Sequence, residues 1–138
     1  MRAAVVDLEH ATTGALARLL TGHDAVVYAA GAGYGSSTRQ KTAIDRDAAI
    51  RTVDAARLSG VRRFVMISSM GVDLPVLPGA FGTYLRLKAE ADGYLRSQHW
   101  MAGRVQPDHP CRVVELPLTH RDVQVVGDGV AVLGCGGG

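Results

Sequence analysis

Aromatic side chains make up only 5% of this 138-residue chain, and cysteine is rarer still, with two, Cys111 and Cys135. Neither a CxxC redox pair nor a disulfide framework can be built from them. His109 and His120 flank Cys111, but at spacings that fit no usual zinc pattern, so no metal site is expected. Runs of like charge are missing as well. The 15 basic and 13 acidic residues are scattered and leave a formal charge of +2, without the basic stripe of a nucleic-acid-binding surface. No segment approaches the ~18 consecutive apolar residues of a membrane span. The N-terminus lacks the basic region and apolar core of a signal peptide, so a cytoplasmic location is expected. What is present, 47% hydrophobic and 20% charged residues, is the composition of one ordinary globular domain.

Apolar runs separated by amphipathic segments organise the first hundred residues. "AAVVDL", residues 3–8, reads as a short strand, and Thr12 or Thr13 caps a short helix carrying Leu16, Leu19 and Leu20 and closed by Gly22. "DAVVYAAGAG", residues 24–33, has no polar alternation, the pattern of a strand buried on both faces of a parallel sheet. After a loop, "GYGSSTRQKT", Ile44, Ala48, Val53 and Ala56 mark an amphipathic helix over 45–59 that ends at Gly60. "VRRFVMISS" follows as another buried strand. Strands 25–30 and 63–68, joined by that helix, should be adjacent and parallel through a right-handed crossover. The expected fold class is therefore α/β, a Rossmann-like doubly wound parallel sheet.

A Pro- and Gly-rich loop leads to "TYLRLKAEADGYLRSQ", a helix whose Leu85 and Leu95 can face the sheet. Residues 1–100 thus read as one unit. The divergent segment 101–138 offers one strand in "CRVVELP", a hairpin over about 122–133 turning at Gly127, Asp128 and Gly129, and a disordered "GCGGG" tail.

Ligands of open parallel sheets bind beyond the carboxyl ends of the strands. Asp7 and Leu8, then Ala29 to Gly33, then Ser68 and Ser69 fall at such ends. Tyr84 and Lys88 are four residues apart on a helix, hence one turn apart on one face. A phenol beside an ammonium ionises more readily, and a hydroxyl such as that of Ser69 can hold a substrate carbonyl next to it for general acid-base catalysis. The bare spacing by itself favours an amphipathic Tyr and a snorkelling Lys on a helix surface.

Taken together and in this order, "HDAVVYAAGAG", "VDAARLSGVRRFVMISSMG" and "YLRLKAEADGYLR" resemble the atypical short-chain dehydrogenase/reductase family, in particular its NAD(P)H-binding, NmrA-like branch. The resemblance spans roughly residues 5–100. It implies a Rossmann fold, NAD or NADP as cofactor and a small-molecule substrate reduced by hydride transfer. It further implies that Asp7 and Leu8 lie by the adenine and that Ala29, Ala30 and Gly31 line the cofactor groove. Ser69 and Tyr84 would face the substrate and Lys88 would hold the nicotinamide ribose, with Ser68 the alternative to Ser69.

Family members place a strand, a glycine-rich turn with its helix, and a second strand before the position of "VVDL". This sequence reaches "VVDL" almost at once, and "GAGYG" at 31–35 follows a different strand. An incomplete Rossmann sheet lacking the first two strands and the pyrophosphate turn is expected, with weakened cofactor binding and chemistry. The other reading is a non-catalytic Rossmann remnant or nucleotide-sensing module.

Overall fold

The structure, a computed structural model, describes residues 4–75, 77–98, 123–126 and 130–133, the last two segments as backbone. Its centre is a strand-helix-strand unit. Strand β1 (Ala25–Tyr28) pairs in parallel with β2 (Arg63–Met66), in the register Ala25↔Arg63 to Tyr28↔Met66. The expected adjacency of the two apolar runs is therefore observed, though each strand is shorter than its run. Both lose their ladder where the chain peels off into the loops that begin at Ala29 and Ile67.

A nearly continuous helical rod connects them. It begins at α2 (Thr38–Lys41), widens into a π-helical segment (Thr42–Ala48), and continues as α3 (Ala49–Leu58). Its start lies inside the segment expected to be loop. Ser37 and Gln40 form a capping box: the Ser37 hydroxyl accepts from Gln40 N at 3.2 Å, and the Gln40 side chain accepts from Ser37 N at 3.0 Å. Two otherwise orphaned amides are thereby satisfied, which extends the helix N-terminally. Gly60, at φ +77°, supplies the left-handed residue that stops it.

Helix α1 (Thr13–Leu20) is capped by Thr12, whose hydroxyl accepts from Ala15 N at 3.2 Å. Leu16 and Leu20 pack with Val53, Ala56, Val26 and Tyr28 in one core. Alanines at 48, 49, 55 and 56 keep the buried face of the connecting helix narrow, so neighbouring elements approach closely. Helix α4 (Gly79–Arg96) adds Ala91 to the core and buries Leu85 and Leu87 as well.

The hairpin expected near 122–133 is present as β3 (Val123–Val126) and β4 (Val130–Leu133), paired antiparallel with Val126 opposite Val130. It does more than fold on itself. Strand β4 also pairs antiparallel with β1, from Ala25↔Leu133 to Tyr28↔Val130, giving a mixed sheet in the order β2-β1-β4-β3. The expected strand in "CRVVELP", the turn residues Gly127 to Gly129, the "GCGGG" tail, and His109, Cys111, His120 and Cys135 lie outside the described residues.

One expectation is corrected. Over its described residues the run 3–8 forms no strand: Ala4 makes one isolated bridge, residues 5–7 are irregular, and a turn begins at Leu8. A strand exists only through its partners, and the edge of β1 away from β2 is taken by β4. Segment 4–11 is held instead by the buried Leu8 side chain and by Arg51, whose guanidinium donates to Leu8 O at 2.7 Å and Glu9 O at 3.2 Å.

Candidate functional site

Helix α4 carries Tyr84, Lys88 and Asp92, spaced by four residues, so all three lie along one face. That face meets the carboxyl ends of both parallel strands. The Lys88 ammonium donates to Ile67 O at 3.2 Å, just past β2, and lies 6.0 Å from the centroid of the Tyr84 ring. Tyr84 is partly buried and stacks on Phe81 with ring centroids 6.3 Å apart. Tyr84 and Lys88 thus lie on one face of α4, and the Lys88 ammonium reaches the end of strand 63–68.

Lys88 has a partner that sequence reasoning missed. Its Nζ sits 3.3 Å from Asp45 Oδ1, and both side chains are almost fully buried, at 6% and 2% exposure. Asp45 Oδ1 accepts no hydrogen bond, so its compensation is the ammonium charge. The other oxygen, Oδ2, accepts from Ala32 N at 3.3 Å. One carboxylate therefore ties the loop after β1 to the helix after β2. Gly31 permits the approach: a Cβ there would stand 3.2 Å from Asp45 Oδ1. A signal existed in the sequence, because Asp45 falls in helical register with Ala48, Ala49, Thr52, Val53 and Ala56, all buried. An acid on a buried stripe calls for a buried base.

The two serines are sorted by the same helix. Ser68 donates its hydroxyl to Asp92 Oδ2, and Asp92 is buried. Ser69 is partly buried and donates only to the carbonyl of Met70, at 3.3 Å. Among the described residues no direct hydrogen bond joins Ser69 to Tyr84.

The remaining expected contacts are spread more widely. Ala29 and Gly31 are exposed at the end of β1, whereas Ala30 is buried in the core. Leu8 is a core side chain. Asp7 is exposed, and both its oxygens are engaged locally, Oδ1 by Glu9 N at 2.9 Å and Oδ2 by His10 Nδ1 at 2.8 Å. The hydrogen bond to His10 holds the Asp7 carboxyl below its usual range, and the same bond raises the imidazole.

With this geometry in hand, the relationship of the chain to known proteins becomes informative. Residues 1–107 match the family described as NAD(P)H-binding, and the chain belongs to that family. The resemblance to atypical short-chain dehydrogenases/reductases and the choice of NAD or NADP as cofactor are thereby borne out. UPF0659 protein C216.03 of Schizosaccharomyces pombe is 39% identical over 71 residues, covering 50% of this chain and 29% of that protein. The uncharacterized sugar epimerase YhfK of Bacillus subtilis is 38% identical over 56 residues, 40% of this chain and 26% of that one. Among solved structures, the oxidoreductase YlbE of Lactococcus lactis superposes with a TM-score of 0.58 at 28% identity, covering 70% of this chain and 44% of that one. A chain proposed as an NAD-dependent epimerase/dehydratase from Bacillus halodurans gives the same TM-score at 37% identity, over 67% and 42%. The chain thus spans less than a third of the length of the curated relatives it matches.

Open backbone at Ala29 and Gly31 and the Lys88 ammonium converge at the strand ends. The helix start that follows β1 has its Ser37 and Gln40 amides occupied by the capping box, so these are not offered to a pyrophosphate. Among the described residues no helix is long and apolar enough to cross a membrane.

Proposed function

We propose that this chain is the nicotinamide-side portion of an NAD(P)-dependent oxidoreductase of the short-chain dehydrogenase/reductase type, acting on a carbonyl or related group. The observation that carries the reading is the Lys88 ammonium, buried at the ends of two parallel strands and 6.0 Å from the Tyr84 ring. When bound, the nicotinamide supplies or accepts a hydride. Tyr84 then delivers or receives the proton at the substrate oxygen, and Ser69 offers its hydroxyl to hold that oxygen. Lys88 reaches for the ribose and keeps positive charge beside the phenol. Ala29, Ala30 and Gly31 form the floor of the cofactor groove, with Asp7 and Leu8 towards its adenine end. Ser68, bound to Asp92, braces the loop that presents Ser69.

Asp45 has the role of a positioning residue. It fixes the ammonium and the Ala32 amide in one frame, and it offsets part of the charge that Lys88 presents to a ligand. That offset, together with the occupied amides at the start of α2, favours a second reading: a module that binds the nucleotide without turning it over, as in a sensing or NmrA-like regulatory protein.

Calorimetric titration of the 138-residue chain with NADPH and NADH tests the proposal. With the Ser37 and Gln40 amides occupied by the capping box, binding should be weak, with a dissociation constant near ~1 mM. Chemical-shift changes should centre on residues 29–33, 67–70 and 84–88, and Lys88→Met should abolish them. Perturbations confined to another face would sink the site. Saturable binding with no reduction of any carbonyl substrate, even with dinucleotide far above its dissociation constant, would favour the sensing module.

A further inference from the structure

Between β2 and the first turn of α4 the chain exposes a run of large apolar side chains: Ile67, Met70, Leu74, Leu77 and Phe81. Met70 and Phe81 are 67% and 60% exposed, far beyond what a core element shows. Exposed apolar side chains beside polar groups such as Ser69 and Tyr84 are the composition of a ligand mouth. The run is joined to the site at several points. Phe81 stacks on Tyr84, Ile67 gives its carbonyl to Lys88, and Met70 gives its carbonyl to Ser69.

The segment is also built, with both ends pinned through glycine. At Gly71, φ +88°, Leu74 N closes a tight turn on Gly71 O at 3.0 Å, and Leu74 Cδ1 packs where a Cβ would stand. At Gly82 the Leu77 carbonyl lies 1.7 Å from the position a Cβ would take, so the loop backbone rests directly on the first turn of α4. Any residue but glycine would displace it.

Charge decides what this rim accepts. From Phe64 to Leu85 the sequence has no Lys or Arg and a single charged residue, Asp73. Phosphates and carboxylates are recognised through cations, bidentate arginine above all. Arg86, the nearest guanidinium along α4, leans towards Glu90 at 3.9 Å, and the Lys88 charge is partly offset by Asp45.

We propose that the Ile67–Phe81 rim binds the apolar, uncharged body of the substrate, an aryl or alkyl ketone or aldehyde, and that a sugar nucleotide is not the ligand of this mouth. This rests on the reading of Ser69, Tyr84 and Lys88 as a substrate-facing site. Binding of a probe without cofactor separates the two. In saturation-transfer NMR and calorimetry, 2-acetonaphthone should bind the 138-residue chain, and Phe81→Ser and Met70→Ser should each weaken it by about tenfold. Leu58→Ser, which removes an equally exposed leucine at the far end of α3, should change nothing. UDP-glucose should neither bind there nor compete. Absent binding of 2-acetonaphthone, equal loss in Leu58→Ser, or displacement by UDP-glucose would overturn the proposal. So would a dimer, seen by sedimentation, that dissociates in Phe81→Ser, because the rim would then belong to a second copy of this chain. Failure of NADPH to bind, with these results intact, would remove the oxidoreductase reading and leave the rim.

Discussion

"AVVD" at residues 4–7 and "AVVY" at 25–28 are nearly the same in composition, yet beyond an isolated bridge at Ala4 the first is irregular, and the second is a central strand of the sheet. Val5 is fully exposed while Val26 is fully buried. Propensity does not distinguish them. β1 has partners on both sides, and its side chains meet a helix layer; residues 4–8 bury only Leu8 in the core, with Ala4 and Val6 partly buried against it. Strand formation is decided by what is available to pair and cover, with β-branched content only a permission. The two regions repeat the contrast in their ion pairs. Asp45 and Lys88 are shut away from water, whereas Asp7 and His10 are about 70% exposed.

The largest effect that would break the comparison is an aspartate placed at each valine. Val26→Asp puts a carboxylate without a partner into the centre of the core, at a cost of more than about 4 kcal/mol, most of the stability of a domain this size. Val5→Asp should stay within about 0.5 kcal/mol of the parent. Urea denaturation followed by circular dichroism reads both. Comparable losses at the two positions would mean that segment 4–8 is paired in solution after all.

That contrast also explains what was readable from the chain alone. The parallel pair, its crossover helix, helix α4 and the hairpin announce themselves through local signals: apolar runs, helical periodicity, and Gly60 and the Asp128–Gly129 step as punctuation. The run 3–8 carries the same local signal and fails for a non-local reason, the occupation of the β1 edge by a strand a hundred residues later. The start of α2 was legible in principle, since Ser37 and Gln40 have capping-box spacing. Tyr84 and Lys88 were legible as neighbours on one face because they share a helix. Asp45 was not, because the partner of a buried charge comes from a different element and only packing brings the two together.

The second way to sharpen the comparison is to open the buried pair. Asp45→Ala leaves an ammonium uncompensated behind α4, and such a loss costs about 3–5 kcal/mol. Removing both charges with Asp45→Ala/Lys88→Met should recover most of it, since apolar replacement of a whole buried pair is close to neutral. A double-mutant cycle in denaturant measures the coupling. Additive losses would show that the two side chains stabilise the protein independently, and that Asp45 does not hold Lys88.

The smallest effect belongs to the exposed pair and is read by pH. His10 donates a hydrogen bond to Asp7 and titrates above an ordinary imidazole, so its contribution is present at low pH and fades as pH rises through its folded value. Asp7 titrates below an ordinary carboxylate, so its share is present above the unfolded value and is lost as pH falls through the folded one. Both groups are charged together from roughly pH 4 to pH 6.5, and the anchoring of residues 7–11 should be tightest there. NMR titration of the His10 ring should give a midpoint above that of a free imidazole, falling towards the ordinary value in Asp7→Asn. The exposed position predicts a second behaviour that the buried pair will not share: salt should screen this interaction, bringing the His10 midpoint down as ionic strength rises towards 1 M. An unchanged midpoint in Asp7→Asn would assign the shift to Glu9, the next carboxylate along the chain, whose charge also raises His10.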